Sequence, residues 1–205
     1  MSPVKELPIL ISVPLTTVAG QSDSTRQRVL DVALELFASQ GFAATTTREL
    51  AERLGFTKAA LYYHFPTKDA LLQALVEPLI AQLTGLVDGS GTVPGGTFTD
   101  ADRATLLAGY LDVIAEHRQL LGVLVQDPSA AGRPAMEAGQ AFYVRLMDRL
   151  TGTAAPTLAD RTRVRFVLGG LHAAVLFTEP DDDPGTVRRT ALAVGLAALD
   201  LPHVD

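Results

Sequence analysis

The segment 46–68 (TTRELAERLGFTKAALYYHFPTK) constrains the fold of this chain more than any other stretch. Thr46 stands three residues before Glu49, which is the spacing of a capping box at the start of a helix. Gly55 is suited to end that helix, because glycine adopts the left-handed conformation without strain. Thr57 then caps a second short helix. The segment therefore predicts two short helices joined by a tight glycine turn.

Three residues of this segment have the types and spacing of a helix-turn-helix. Ala51 is small enough to lie where the two helices cross, and Gly55 stands four residues later at the turn. Leu61 stands six residues after that glycine and packs the second helix against the first. Because successive residues are rotated by about 100°, Leu61 and Phe65 share one face of the second helix. We expect that face to be buried.

The opposite face of the second helix is predicted to enter a DNA major groove, as the recognition helix of such a motif does. Lys58 is suited to guanine, and the Ala59 methyl group is suited to the methyl group of thymine. The Tyr62 hydroxyl is suited to a phosphate oxygen. Tyr63 and His64 fit two interpretations, a DNA contact or half-buried packing.

Further phosphate contacts are predicted at helix N-termini, which favour anions. Thr47 and Arg48 stand at the start of the first helix of the pair, and Lys68 stands at the start of the helix that follows. The candidate DNA-contacting residues are Thr46, Thr47, Arg48, Thr57, Lys58, Ala59, Tyr62, Tyr63, His64 and Lys68.

The distribution of charge limits how such a segment can bind DNA. The chain has a formal net charge of −6. Residues 24–75 contain six basic and five acidic residues, so this segment carries +1 and the rest of the chain carries −7. Because so little positive charge attracts phosphate non-specifically, binding requires well-placed contacts and two copies of the segment.

The remainder of the chain is predicted to be helical, which makes the fold class all-α. The first helix is expected to begin at Asp23 or Ser24 and to end at Gly41. A fourth helix is expected to begin after Thr67 and to bend at Pro78. The later helices are predicted near residues 100–117, 118–125, 134–150, 158–177 and 186–199.

The run ATTTRELAERLGFTKAALYYHFPTKDALL, together with the first-helix run STRQRVLDVALELFASQGF, resembles the N-terminal DNA-binding domain of the TetR family of transcriptional regulators. The similarity covers residues 24–75. It implies a homodimer that binds a short palindromic operator in double-stranded DNA and releases it when a small molecule binds the C-terminal domain. The expected domains are a flexible N-terminal arm (1–22), a helix-turn-helix domain (23–70) and a helical effector-binding and dimerisation domain (71–205).

The last two long helices are the expected dimer interface, since two helices from each chain can form a four-helix bundle. Packing of these helices inside one monomer is the alternative. The residues expected to form the interface are Val164, Val167, Leu168, Gly169, Gly170, Leu171, Val175, Leu192, Val194, Leu196 and Leu199.

An effector pocket is expected to be apolar with a few polar groups. The candidate ligand-binding residues are Leu83, Tyr110, His117, Phe142, Met147, Phe166 and His172, all of which also fit an ordinary core. His117 and His172 stand out, because a buried polar group requires a partner. We therefore expect a largely apolar ligand.

Several classes of protein are disfavoured by what the sequence lacks. There is no cysteine, which removes disulfides and thiolate catalysis and suits a reducing cytoplasm. No nucleophile elbow, phosphate loop, dinucleotide fingerprint or metal-ligand spacing occurs, so we expect neither an enzyme nor a cofactor. No membrane span and no export signal are expected. A ligand-independent regulator, or an activator that works with a protein partner, remains the alternative function.

Overall fold

All regular secondary structure in the described part of the chain is helical. The computed structural model describes residues 16–89, 98–127, 132–153, 155–179 and 181–204. Within these ranges nine α-helices and no strands occur. The helices are α1 Thr16–Gln40, α2 Thr47–Leu54, α3 Lys58–His64, α4 Lys68–Gly89, α5 Asp100–Glu116, α6 Arg118–Gln126, α7 Gly132–Thr151, α8 Leu158–Leu176 and α9 Pro184–Ala198. The predicted all-α class is confirmed.

The caps and turns of α2 and α3 follow from their own sequence. The Thr46 hydroxyl accepts a hydrogen bond from the backbone N–H of Glu49 at 3.2 Å. Gly55 ends α2 with φ 69°, the left-handed conformation, and the Thr57 hydroxyl accepts from Ala60 N at 3.1 Å. The expected capping box is only half formed among the described hydrogen bonds, because the Glu49 carboxylate accepts from Gln40 Nε2 at 2.8 Å instead.

The head, α1–α3, is held together by the residues predicted to be buried. Leu61 is fully buried and Phe65 nearly so, and they join Leu50, Ala51 and Leu54 of α2 in the core. α1 packs against α2, and α2 packs against α3. The helix-turn-helix is therefore anchored by one apolar face of each short helix, which leaves their other faces to solvent.

The body is built around α4, which packs against α7 and α5 and also touches α1 of the head. α8 packs against α9, and both lie against α5. α6 packs against α1, which gives the head a second contact with the body. The five helices predicted beyond residue 98 are confirmed to within a few residues. α9 begins at Pro184 rather than near residue 186, because the Asp183 carboxylate caps it by accepting from Thr186 N at 2.8 Å.

The expected start of the first helix is wrong. α1 begins at Thr16 and not at Asp23 or Ser24, so residues 16–22 of the expected flexible arm are helical, and residues 1–15 lie outside the described residues. The first helix extends through Asp23 and Ser24, the polar residues expected to cap it.

Within the described residues, α4 is long and apolar enough to cross a membrane by length and composition, although no span is expected. One such helix is weak evidence of a span, because a core helix passes the same test.

The apolar residues of α4 have a clear place in the fold. They are buried where α4 packs against its neighbours, as in the core helix of a globular domain. The buried residues of α4 are Leu71, Leu72, Val76, Leu79, Leu83 and Val87.

Candidate nucleic-acid interface

The exposed face of α3 carries most of the residues predicted to contact DNA. Lys58 and Ala59 are exposed at its N-terminal end. Tyr62 is 38% exposed, whereas Tyr63 is 85% exposed, so the packing interpretation of Tyr63 is wrong. Its ring meets the half-buried His64 edge-on at 5.4 Å between centroids. A protruding tyrosine, whose hydroxyl group can donate a hydrogen bond, is suited to contact a phosphate backbone.

Tyr62 links α3 to the start of α2. Its hydroxyl lies 3.3 Å from the Thr47 hydroxyl, within hydrogen-bonding distance. The Lys58 ammonium lies 5.5 Å from the centroid of the Tyr62 ring, a cation–π contact. The structure thus brings together three predicted residues, Thr47, Lys58 and Tyr62, in one polar cluster on the surface.

Arg48 lies next to this cluster but already has a partner. Its Nε donates to Glu52 Oε1 at 2.8 Å, one turn along α2. The hydrogen bond and charge of Glu52 raise the pKa of Arg48 above its usual value. Because the pair is exposed, it is held weakly and can open when a phosphate competes for the guanidinium group.

Lys68 stands at the start of α4 as expected, but its side chain has partners that the sequence analysis does not predict. Its ammonium group donates hydrogen bonds to the backbone oxygens of Phe42, Ala43 and Thr45. The side chain is therefore turned towards the segment between α1 and α2 and does not extend freely towards a phosphate group. Nothing in the local sequence around Lys68 indicates these partners, which lie more than 20 residues earlier.

Two basic residues of α1 were missed by the sequence analysis. The Arg26 guanidinium lies over the Phe65 ring, 4.9 Å from its centroid, at the C-terminal end of α3. Arg28 is exposed on the same helix. Within the described residues, no ion pair engages Arg26, Arg28 or Lys58. The run Arg-Gln-Arg at residues 26–28 was the available signal, and Arg26 adds positive charge beside the C-terminal end of α3.

In the body, three of the candidate ligand-binding residues contact one another. The Tyr110 hydroxyl lies 2.9 Å from His172 Nε2, within hydrogen-bonding distance. The Tyr110 ring stacks on Phe142 with centroids 6.2 Å apart. Burial raises the pKa of Tyr110 and lowers the pKa of His172, so both are neutral at physiological pH. Leu83 and Met147 are buried in the same core.

The two other candidates lie apart from this group. His117 ends α5, where its Nε2 lies 3.3 Å from Gln82 Oε1 of α4. Phe166 is 80% exposed, so the alternative of an ordinary core position is wrong for this residue. It lies on the outer side of α8, where its ring faces solvent in this single chain.

The outer face of α8 and α9 differs from the one predicted for dimerisation. The predicted residues Val164, Val167, Leu168, Leu171, Val175, Leu192, Leu196 and Leu199 are buried within the chain. The predicted Gly169 and Gly170 are exposed. So are the apolar Phe166, Phe177 and Val194, of which only Val194 was predicted. Together with Gly170 and Ala174 they line a groove of about 480 Å³ between the two helices. We call this surface the α8–α9 face.

The sequence of the head matches those of known regulatory proteins. Residues 29–75 match the model of the bacterial regulatory proteins of the tetR family. The transcriptional repressor KstR2 of Mycobacterium tuberculosis is 38% identical over 77 residues, which are 36% of this chain and 38% of that protein. The class C tetracycline repressor protein of Escherichia coli is 51% identical over 55 residues, 27% of this chain and 25% of the repressor. The chain thus matches less than half the length of these relatives.

The fold of the whole chain is similar to that of solved regulators. The structure of the ketosteroid transcriptional regulator KstR2 of Mycobacterium tuberculosis covers 87% of this chain and 95% of its own, with a TM-score of 0.66 and 20% identity. The TetR family member SCO3833 of Streptomyces coelicolor covers 86% of this chain and 91% of its own, with a TM-score of 0.67 and 21% identity. The head therefore has the sequence of the bacterial regulatory proteins of the tetR family, and the chain as a whole has the fold of solved regulators of that family.

Proposed function

We propose that this chain is a homodimeric repressor that binds a palindromic operator and leaves it when a small, largely apolar ligand binds the body. The observation that carries the proposal is the polar cluster that Thr47 of α2 forms with Lys58 and Tyr62 of α3, the helix anchored by the buried Leu61. Such a cluster is already ordered without DNA, so less conformational entropy is lost on binding.

Each residue of the exposed α3 face has a proposed role. Lys58 donates to guanine in the major groove, and Ala59 packs against a thymine methyl group. The hydroxyl groups of Tyr62 and Thr47 bind phosphate oxygens, which sets the register of α3 in the groove. Tyr63 extends furthest from the surface and reaches the flanking backbone. The N-termini of α2 and α3, capped by Thr46 and Thr57, add favourable dipoles for phosphate.

Dimerisation follows from the weak charge of the head and from the α8–α9 face. A palindromic operator has half-sites about 34–36 Å apart along the duplex, and a two-fold dimer presents two recognition helices at that spacing. The apolar Phe166, Phe177 and Val194 of one protomer are suited to pack on the same residues of a second copy. The four helices would then form a bundle.

The effector is proposed to bind where Tyr110, Phe142 and His172 meet. Tyr110 and His172 are two neutral polar groups within an apolar core. They are suited to a ligand that is mostly hydrocarbon and carries one or two hydrogen-bonding groups. α4 contributes Leu83 to this core and begins in the head. A ligand that displaces α4 therefore changes the distance between the two recognition helices. By linkage, operator binding must weaken ligand binding by the same factor.

Selection of duplexes from a random library by the purified protein tests the DNA-binding proposal. Lys58→Ala should weaken binding of the selected duplex by about tenfold or more for each half-site, and should relax the preference at guanine positions. Arg53→Ala is the matched control, because it removes one positive charge from α2 at a residue whose guanidinium lies 3.9 Å from Glu35. Equal effects of the two substitutions, or unchanged sequence preference in Lys58→Ala, would contradict the assigned orientation of α3.

The proposed ligand response is tested separately. A thermal-shift screen with apolar compounds that carry a single hydroxyl or carbonyl group should yield stabilising ligands. Titration of such a ligand with and without the selected duplex should give different affinities. Identical affinities would exclude release by the ligand and would favour the ligand-independent alternative.

A further inference from the structure

The ammonium group of Lys68 makes a set of contacts that the proposed DNA interface does not explain. Its Nζ donates to the backbone oxygens of Phe42 at 2.6 Å, Thr45 at 3.0 Å and Ala43 at 3.3 Å. It also lies 4.3 Å from the centroid of the Phe42 ring. An ammonium group has three hydrogens, and this set of acceptors occupies all of them.

The three acceptors belong to residues 41–46, which we call the α1–α2 turn. Gly41 starts the turn with φ 89°, the left-handed conformation in which helices commonly end. Phe42 is fixed by an edge-on contact with Phe37, with centroids 5.0 Å apart. The Thr45 hydroxyl donates to the Gly41 oxygen at 2.9 Å. The turn is thus tied from within by Thr45 and from outside by Lys68.

The position of the α1–α2 turn determines where α2 begins. Thr45, an acceptor for Lys68, directly precedes Thr46, which caps α2. Thr47 follows and lies within hydrogen-bonding distance of Tyr62 on α3. A single residue, Thr46, therefore separates the Lys68 contacts from the polar cluster proposed to meet DNA.

Lys68 also has a particular place in α4, of which it is the first residue. The same helix continues into the body, where Leu79 and Leu83 are buried. α4 packs against α5 and α7 there. Because a helix moves largely as a rigid element, a shift of α4 in the body displaces the Lys68 ammonium group and the oxygens bound to it.

We infer that Lys68 is a positioning residue, which fastens the α1–α2 turn and hence the N-terminal end of α2 to α4. It acts on DNA through Thr46 and Thr47 and makes no phosphate contact itself. The DNA readout of this inference rests on the proposed function, whereas its effect on the turn does not.

The first test uses the free protein. Lys68→Met keeps a long apolar stem without the charge, and Lys68→Arg keeps the charge on a planar group that cannot direct three N–H groups to these three oxygens. In both variants, amide hydrogen exchange should become faster at Thr45 and in the first turn of α2. Exchange in α5 and α7 should stay as in the unmutated protein. Unchanged exchange at Thr45 in both variants would overturn the inference.

The second test uses the duplex selected by the unmutated protein. Both Lys68 variants should bind it about tenfold more weakly, the effect of losing one charge-assisted hydrogen bond. Lys68→Arg decides between two roles, because arginine serves a phosphate contact as well as lysine does. Unchanged affinity of Lys68→Arg would show that only the charge matters and would overturn the inference. Faster exchange with unchanged affinity in both variants would also overturn it, because the contacts would then stabilise the turn alone.

Two controls separate this inference from the proposed function. Lys58→Met should weaken DNA binding and leave exchange at Thr45 unchanged, since Lys58 does not contact the turn. If the unmutated protein selects no duplex, the proposed function fails, and the exchange experiment still decides whether Lys68 holds the turn. If Lys68→Met does not fold by circular dichroism, Lys68→Arg carries both tests.

Discussion

Val194 offers a sharp test of the proposed dimer, because the chain contains a matched control residue. Val194 lies in α9 on the α8–α9 face and is 64% exposed, while Val144 lies in α7 away from that face and is 54% exposed. Replacing either valine by aspartate removes the same side chain and adds the same charge. Both are solvent-exposed in the single chain, so neither substitution should unfold it.

The expected effect of Val194→Asp follows from its exposed area. Complete burial of a valine contributes about 1.5 kcal/mol, and nearly two-thirds of this side chain is left to be buried by a partner. That leaves about 1 kcal/mol for each protomer, and two-fold symmetry places the residue in the interface twice. The loss of about 2 kcal/mol raises the dimer Kd by about thirtyfold. Two buried, unpaired carboxylates increase this further.

Sedimentation equilibrium over a series of concentrations measures the Kd of each variant. Val194→Asp should shift the protein to monomer at concentrations where Val144→Asp and the unmutated protein are dimers. Its binding to the selected duplex should also lose about half of its salt dependence, because one head then contacts phosphate in place of two. A Val194→Asp protein that dimerises as tightly as the unmutated one would refute the assigned interface. Dissociation by Val144→Asp alone would refute it equally.

Two other predictions concern the stability of the head and of the body. Leu61→Ala removes a fully buried side chain and should lower the free energy of unfolding of the head by about 2–5 kcal/mol. Urea unfolding followed by tyrosine fluorescence measures this loss. A loss below that range would mean that Leu61 does not anchor α3. Burial lowers the pKa of His172 in the folded chain, so protonation favours the unfolded state. Stability should therefore be fully present above the unfolded pKa of about 6.5 and should fall as the pH drops below it. His172→Gln, which cannot take up a proton, should show a smaller fall between about pH 7.5 and 5.5; an equal fall would exclude His172 as the cause.

The sequence is most informative where the determinants of structure are local. Thr46, Gly55 and Thr57 mark the ends of α2 and α3 through bonds to residues no more than four positions away. Leu61 is recognisable as the anchor of α3, because it is apolar on a helix whose other face is polar. For such elements the local preferences and the tertiary fold agree, which is why their bounds could be predicted closely.

The sequence is least informative where one helix has two apolar faces. The C-terminal part of α8, residues 166–176, is apolar almost all round, so its periodicity does not separate the side that packs inside the chain from the side left for a partner. Val167 and Leu171 face inward, while Phe166 and Phe177 face outward. Only the packing of α8 on α5 and α9 distinguishes the two sets. For this reason the core alternative failed for Phe166, and most of the residues predicted for the interface are instead buried within the chain.

Lys68 shows the same limitation for a polar residue. Its position at the start of α4 predicts a phosphate contact, since helix N-termini commonly bind anions. Its three acceptors come from a turn more than 20 residues earlier. No rule of local spacing relates the two, so a tertiary contact decides the role of the side chain.

The charge of the head bears on how an effector can act. Arg26, Arg28 and Lys58 are basic residues of the head that no ion pair engages within the described ranges. Three cations per head give few phosphate contacts, so each head alone binds DNA weakly. Under the proposed function, tight binding then requires both heads to engage together, and the second contributes through its high effective concentration. That contribution vanishes when the spacing of the heads no longer fits the operator. A small movement of α4 is therefore sufficient for release, because each weakly charged head cannot hold the operator alone.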